Sequence, residues 1–266
     1  MRGLRVSEKI KFEPCGWEDI RQLVVEYITK NNITVDSFWE EHVFYANHYK
    51  ITVDDEIVGF FAIHEGENLT LFHVLPHHAN QSQEIFAYVK KYENVTSAMV
   101  ATSDEFFLSH CLDGFDRMEK QAYFAVYTEK GVAKERKKTL NLRIADIDID
   151  KETLSLSGDF LDHPINNIRD GRDVEIYIAE FNGDIVGFGV VEYGRIVKST
   201  ASIGMFVCPS HRKAGFAANI LEHLKLACFE KGLRVVSGCW YYNHNSKKSM
   251  EAAGAYSKTR LVKFYF

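Results

Sequence analysis

Arginine, lysine, glycine and alanine crowd the stretch R212-K-A-G-F-A217, directly after the run A201SIGMFVCP209, which reads as a strand stopped by proline. A helical pattern, N219ILEHLKLACFEKG232, follows at once. A strand–turn–helix of this composition can hold an anion. Successive backbone N–H groups of the turn point outward, and the helix N-terminus adds the positive end of its dipole. Gly215 permits a tight turn and close approach of a ligand, Ala217 keeps side-chain bulk away, and Arg212 and Lys213 contribute charge. A pyrophosphate suits such a turn in size.

Other residues raise other chemistry. His64, His73, His77 and His78 suggest a metal. However, His77 and His78 are adjacent and point opposite ways if extended. No cysteine or carboxylate cluster joins them in the sequence, so no metal is expected. Trp240, Tyr241 and Tyr242 form an aromatic run able to line an acceptor pocket, and Glu192 stands at the end of a hairpin.

The elements that must position these residues come in two similar sets. W17EDIRQLVVEYI28 has apolar residues at helical spacing. Y49KITVDDEIVGFFAIHE65 reads as two strands about Asp54-Asp55, L69TLFHVLP76 as a strand stopped by proline, and Q83EIFAYVKKY92 as a helix. V95TSAMVAT102 is expected as a strand, D104EFFLSHCLDG114 as a helix ending at glycine, and A122YFAVYT128 as a strand.

The second set opens with V174EIYIAEFNGDIVGFGVVEYG194, a hairpin whose Asn182-Gly183 suits a type I′ turn. After the two runs already quoted, R234VVSGCWYY242 reads as a strand, S246KKSMEAAG254 as a helix and T259RLVKFYF266 as a strand. "EIVGF" at 56–60 answers "DIVGF" at 184–188, Pro76 answers Pro209, and Gly114 answers Gly254. Three ordered anchors point to a tandem duplication of one αβ unit. The expected division is 1–130, a charged linker at 131–139, and 140–266.

Composition narrows the function classes. With 266 residues, 46% of them hydrophobic, the chain can bury one large core or two small ones. A net charge of −5 speaks against nucleic acid as a partner. No run approaches the length of a membrane span, and no apolar leader opens the chain. Five scattered cysteines without a C-x-x-C pair suit reduced thiols in the cytoplasm.

The stretch at 212–217 resembles the coenzyme A motif of the GCN5-related N-acetyltransferases (GNAT): arginine or glutamine, two residues, glycine, one residue, then glycine or alanine. Arg212, Gly215 and Ala217 fill those places, and Val207 and Pro209 supply the usual V-x-P before them. Asn243, Ser246, Glu251 and Gly254 match a second family signature, with Ala255 replacing its phenylalanine. The resemblance implies an α/β (α+β) fold of two tandem domains, each a mixed, mostly antiparallel sheet flanked by helices.

It further implies transfer of an acetyl group from acetyl-CoA to an amine of a small molecule or peptide, in a monomer or homodimer, without metal. Backbone at Phe206 and Val207 would hold the acetyl and pantetheine part. Arg212, Lys213, Ala214, Gly215, Phe216 and Ala217 would hold the pyrophosphate, and Asn243 and Ser246 would touch the far side of the cofactor arm. Many family members carry a proton-donating tyrosine seven residues after the asparagine, where this chain has Met250. Tyr242, ending a strand beside Asn243, and then Tyr241 are the substitute donors, and Glu192 is the candidate base.

The first copy, H77HANQSQE84, has no arginine, glycine or small residue at the required places and is expected to be a degenerate domain. A non-catalytic acyl-CoA-binding module is the alternative. An aminoacyl transferase using charged tRNA is a third reading, disfavoured by the intact motif and the acidic balance.

Overall fold

The structure, a computed structural model, describes residues 10–128 and 139–266, so the linker expected at 131–139 lies outside the described residues but for Thr139. Its elements run β1 (Ile10–Cys15), α1 (Trp17–Lys30), α2 (Ser37–Phe44), β2 (Asn47–Val53), β3 (Glu56–His64) and β4 (Asn68–Val74). A 3-10 turn, Pro76–Gln81, leads to α3 (Ser82–Val89), β5 (Ser97–Ala101), α4 (Glu105–Leu112) and β6 (Arg117–Tyr127). The same order then recurs: β7 (Asn141–Ile144), α5 (Lys151–Leu154), a 3-10 segment Ser155–Leu161, α6 (Asp162–Arg169), β8 (Val174–Phe181), β9 (Asp184–Tyr193) and β10 (Thr200–Val207). A 3-10 turn at Pro209–His211, α7 (Phe216–Glu230), β11 (Arg234–Trp240), α8 (His244–Ala252) and β12 (Ala255–Tyr265) complete the chain.

Local chemistry explains these elements. In α1 the apolar stripe Ile20, Val24, Tyr27 and Ile28 is buried, and the Asp19 carboxylate accepts the Gly16 N–H at 2.8 Å to close the first turn. Both expected hairpins turn through two left-handed residues, Asp54-Asp55 (φ 52° and 65°) and Asn182-Gly183 (φ 53° and 90°). That geometry matches the right-handed twist of the flanking strands.

The chain forms two compact units, residues 1–122 with 259–266, and residues 123–258. In the first, the strand order is β1-β2-β3-β4-β5-β12, antiparallel except at β4/β5. In the second it is β6-β11-β10-β9-β8-β7, with β10/β11 parallel. The closing strands are therefore exchanged relative to the contiguous division at 130–140. The last strand of the chain runs beside β5, Leu261 opposite Ala101 and Tyr265 opposite Ser97, while Tyr123–Tyr127 of β6 belongs to the second unit.

A buried carboxyl marks the first unit. Asp104 caps α4 by accepting the Phe107 N–H at 3.0 Å, and the Tyr27 hydroxyl donates to the same oxygen. Both bonds favour the anion, but burial outweighs them and pushes the carboxyl up to about 6. The folded chain then holds a proton between pH about 4 and 6 that the unfolded chain has released. This group's contribution to stability consequently falls as pH rises through that window and is level above it. Asp104→Asn, which keeps an acceptor, should remove a slope worth on the order of 1–3 kcal/mol across the window. Denaturant unfolding of both proteins at pH 4 and 6 measures it, and a pH-independent difference between them would show that the carboxyl stays ionised.

Candidate functional site

In the second unit, β10 stays paired with β9 over seven residues, Ala201↔Tyr193 to Val207↔Gly187. Its parallel ladder with β11 covers only Thr200↔Arg234, Ala201↔Val235 and Ser202↔Val236. Beyond Ser202 the two strands continue without each other, which opens a notch along the edge of β10 from Ile203 to Val207. Ser237 sits at the fork. Its hydroxyl donates to the Ile203 carbonyl at 2.6 Å, and the buried Tyr127 hydroxyl lies 3.1 Å from the Ser237 Oγ. A side-chain hydroxyl thus takes the place of a ladder N–H and satisfies the carbonyl where the strands part. Burial raises the Tyr127 phenol well above its usual range, so it remains a neutral donor.

The notch leads to the turn singled out from the sequence. Pro209–His211 form one 3-10 turn, Arg212 is extended (φ −65°, ψ 158°), and Lys213 and Gly215 are left-handed (φ 62° and 86°). Gly215 is the N-cap of the fifteen-residue α7 and brings no side-chain cap. The first i→i−4 bond of α7 runs from the Asn219 N–H to the Gly215 carbonyl at 3.3 Å, so the Ala217 and Ala218 N–H groups precede the helical ladder. A Cβ built on Gly215 would meet nothing within 4 Å, so the turn presents bare backbone to open space. Arg212 braces it: its Nε donates to the Val207 carbonyl at 3.2 Å and its guanidinium lies over the Phe206 ring. A bare left-handed turn, a helix N-terminus and two cations fit a pyrophosphate group.

The remaining residues fall into place as follows. Arg212, Lys213, Ala214 and Gly215 are exposed, and Ala217 is half-buried. Phe216 is a core residue packed on Phe181 and His211, so only its backbone faces the turn. Phe206 packs against Phe160 and Phe188 on the sheet face covered by the α5–α6 segment. Glu192 lies in β9 opposite Ser202 and accepts a hydrogen bond from the buried Asn167 amide at 3.2 Å. Asn243 and Ser246 are brought together as a cap, the Asn243 Oδ1 accepting the Ser246 N–H at 3.1 Å.

The expectation that Tyr242 ends the strand needs correction. β11 stops at Trp240, because the Asn243 N–H folds back onto the Trp240 carbonyl at 2.9 Å, and both tyrosines lie in the resulting turn. Tyr241 is stacked on Tyr123 with centroids 4.6 Å apart, whereas Tyr242 is 54% exposed. Met250, at the place of the family tyrosine, is buried in the core.

Two parts of this arrangement escape sequence reading. Ser237 and Tyr127 sit inside apolar runs that read as ordinary strands. Gly187 is needed because a Cβ there would stand 2.2 Å from the Phe206 carbonyl; its trace in the sequence is the G187-F-G189 pattern within a strand otherwise made of large residues.

The first unit has the same fork, since β4 and β5 pair only at Asn68↔Ser97 and Leu69↔Ala98. There the similarity ends. Its 3-10 turn runs straight into α3 through Gln81 in right-handed conformation, so no left-handed turn exposes backbone. Aromatic rings bridge β4 to its surroundings: His73 stacks on Tyr27 at 4.0 Å and meets Phe106 of α4 at 5.1 Å. Burial lowers the His73 imidazole to about 4, which keeps it neutral within this stack.

Comparison with known proteins agrees with the two units. Family models described as an acetyltransferase (GNAT) domain match residues 17–128 and residues 172–259. Among solved structures, an acetyltransferase from the GNAT family from Colwellia psychrerythraea is similar in fold, with a TM-score of 0.84 at 20% identity, over 96% of this chain and 99% of that one. A GCN5-related N-acetyltransferase from Sphaerobacter thermophilus gives a TM-score of 0.59 at 15% identity over 96% and 94% of the two chains. A tandem GNAT protein from the clavulanic acid biosynthesis pathway gives 0.56 at 12% over 96% and 98%. No curated protein matches the chain in sequence.

Proposed function

The chain belongs to the GNAT acetyltransferases as a tandem of two such domains, and we propose that its second unit moves an acetyl group from acetyl-CoA to an amine of a small molecule or peptide. One observation carries this reading: a forked β10/β11 pair leads directly into a bare left-handed turn at the N-terminus of a long helix. The pyrophosphate of the donor lies on the 212–217 turn. The pantetheine arm follows the notch and bonds to backbone at Val207, and the far side of the arm passes the capped start of α8 at Asn243 and Ser246. The Phe206 backbone, expected to share this role, faces β9 opposite Phe188, in step with the Cys208 N–H that donates to the Val186 carbonyl.

In the transfer, the amine nitrogen bonds to the thioester carbon, the carbon–sulfur bond breaks, and the thiolate takes up a proton. Backbone N–H groups along the notch stabilise the charge that develops on the carbonyl oxygen. Glu192, on the face shared with Phe206, receives the amine proton through water. Tyr242, with its ring exposed beside Asn243, supplies the proton to sulfur. A thiolate with a pKa near ~8.5 needs that help only modestly. Tyr242→Phe should therefore lower kcat roughly ten- to a thousand-fold with acetyl-CoA affinity nearly intact. Tyr241→Phe should do little, because that ring is held in its stack on Tyr123. The reverse ranking would assign the donor to Tyr241, and no loss in either would leave solvent as the donor.

The buried Met250 in place of a tyrosine favours a second reading, a non-catalytic acyl-CoA-binding module. Release of free thiol from acetyl-CoA across a panel of amines decides between them. Amine-dependent release supports transfer, and tight binding without release supports the module.

A further inference from the structure

We propose that the first unit carries a binding site for a divalent transition-metal ion, built from Glu56, His77 and His78. One nitrogen of each histidine and one carboxylate oxygen lie within 4.8 Å of one another. The His77 Nε2 is 3.4 Å from the Glu56 Oε1, and the two imidazole centroids are 4.6 Å apart at 62°. Among the described residues this is the one group of three histidine, cysteine or carboxylate side chains so gathered.

The expectation that these histidines diverge rests on an extended chain, which the structure does not show. Pro76 opens a 3-10 turn, and both histidines fall in its first turn. With about three residues per turn, neighbouring side chains project roughly 120° apart instead of 180° and can reach one point. The carboxylate missing from the local sequence arrives from twenty-one positions upstream. Glu56 is the first residue of β3, immediately after the left-handed Asp54-Asp55 turn. Backbone bonds hold the two segments together: the Leu75 N–H donates to the Val58 carbonyl at 2.8 Å, and the His78 N–H to the Leu75 carbonyl at 2.9 Å.

Two imidazoles and one carboxylate are a donor set for Zn²⁺, Ni²⁺ or Cu²⁺ rather than for Mg²⁺ or Ca²⁺. Ligand atoms about 2.0–2.2 Å from a shared ion stand closer together than 4.8 Å. The side chains of Glu56 and His77 are 64% and 55% exposed, so small rotations close the gap with little resistance from packing. The open positions fall to water. In the second unit the corresponding turn, Pro209–His211, leads into the anion-binding loop. In the first unit the same turn carries two imidazoles and becomes a cation site that clamps the β4–α3 connection to β3.

The test uses the full chain without a histidine tag, stripped by chelator and titrated with Zn²⁺ by calorimetry. One ion per chain with a dissociation constant in the micromolar range is expected. Affinity should fall tenfold or more in both His77→Ala and His78→Ala, and several-fold in Glu56→Gln. Paramagnetic resonance of the Cu²⁺-loaded chain should show two nitrogen ligands, and one in either histidine variant. Glu56 and His77 are exposed and His78 is half-buried, so unchanged circular dichroism of each variant is the control that separates loss of ligation from loss of fold. The proposal is overturned if Zn²⁺ binds no more tightly than millimolar, which leaves Glu56 and His77 a plain ion pair. Binding that survives both histidine variants would equally overturn it, by placing the ion elsewhere on the chain.

Discussion

Gly215→Glu should lower acetyl-CoA affinity a hundredfold or more while the second unit stays folded. The Cβ at this position points into open space, where the proposed pyrophosphate approaches the backbone. A glutamate therefore adds both bulk and like charge at that spot. Two unit charges about 4 Å apart near a protein surface repel by about 4 kcal/mol, and about 1.4 kcal/mol corresponds to a factor of ten in affinity. Gly215 is left-handed, so any side chain also costs roughly 1–2 kcal/mol of backbone strain. Gly215→Ala carries that strain without the charge and should weaken binding only a few-fold. Calorimetric titration of both variants separates the terms. Equal loss in both would mean that loop geometry, not the anion cradle, sets affinity.

Deleting Thr259–Phe266 should unfold the first unit, although those residues stand at the far end of the sequence. Leu261, Val262 and Phe264 are buried, and the last two join the first unit's core with Val100, Phe86 and Phe72. Each such side chain contributes about 1.5–3 kcal/mol, so the loss over the three is roughly 5–9 kcal/mol against the ~5–15 kcal/mol of a typical domain. The deletion also strips β5 of its antiparallel partner and leaves a bare strand edge. Limited proteolysis should then cleave freely within residues 10–122. Phe264→Ala, a milder test, should cost about 3–5 kcal/mol. A deleted chain with an unchanged thermal midpoint would contradict the exchange of closing strands.

That exchange marks where sequence reading ends. The hairpins at Asp54-Asp55 and Asn182-Gly183, helix α1 and the R212-K-A-G-F-A217 turn were legible because local chemistry dictates each: left-handed turn residues, a 3.6-residue apolar stripe, a glycine between strand and helix. Both β6 and β12 were legible as strands too. Which strand each one pairs with is not local information. Periodicity fixes the faces of a strand and says nothing of its neighbour. The short helix α2, whose Asp36 cap accepts the Trp39 N–H at 2.9 Å, and the edge strands β1 and β7 give patterns too brief to stand out. The fork at Ser237 was hidden for a further reason. A serine among Val235, Val236 and Cys239 is unremarked until the Ile203 carbonyl and the Tyr127 hydroxyl arrive from distant strands. The cluster of Glu56 with His77 and His78 likewise needs the fold to bring its carboxylate.

The count of acetyl-CoA molecules bound per chain tests the central claim most directly, because one unit has a bare left-handed turn beside its fork and the other does not. Native mass spectrometry of the full chain under saturating acetyl-CoA should show one bound molecule, and none in Gly215→Glu. Two bound molecules, or one retained in the variant, would contradict the assignment of the donor site to the turn at Arg212–Ala217.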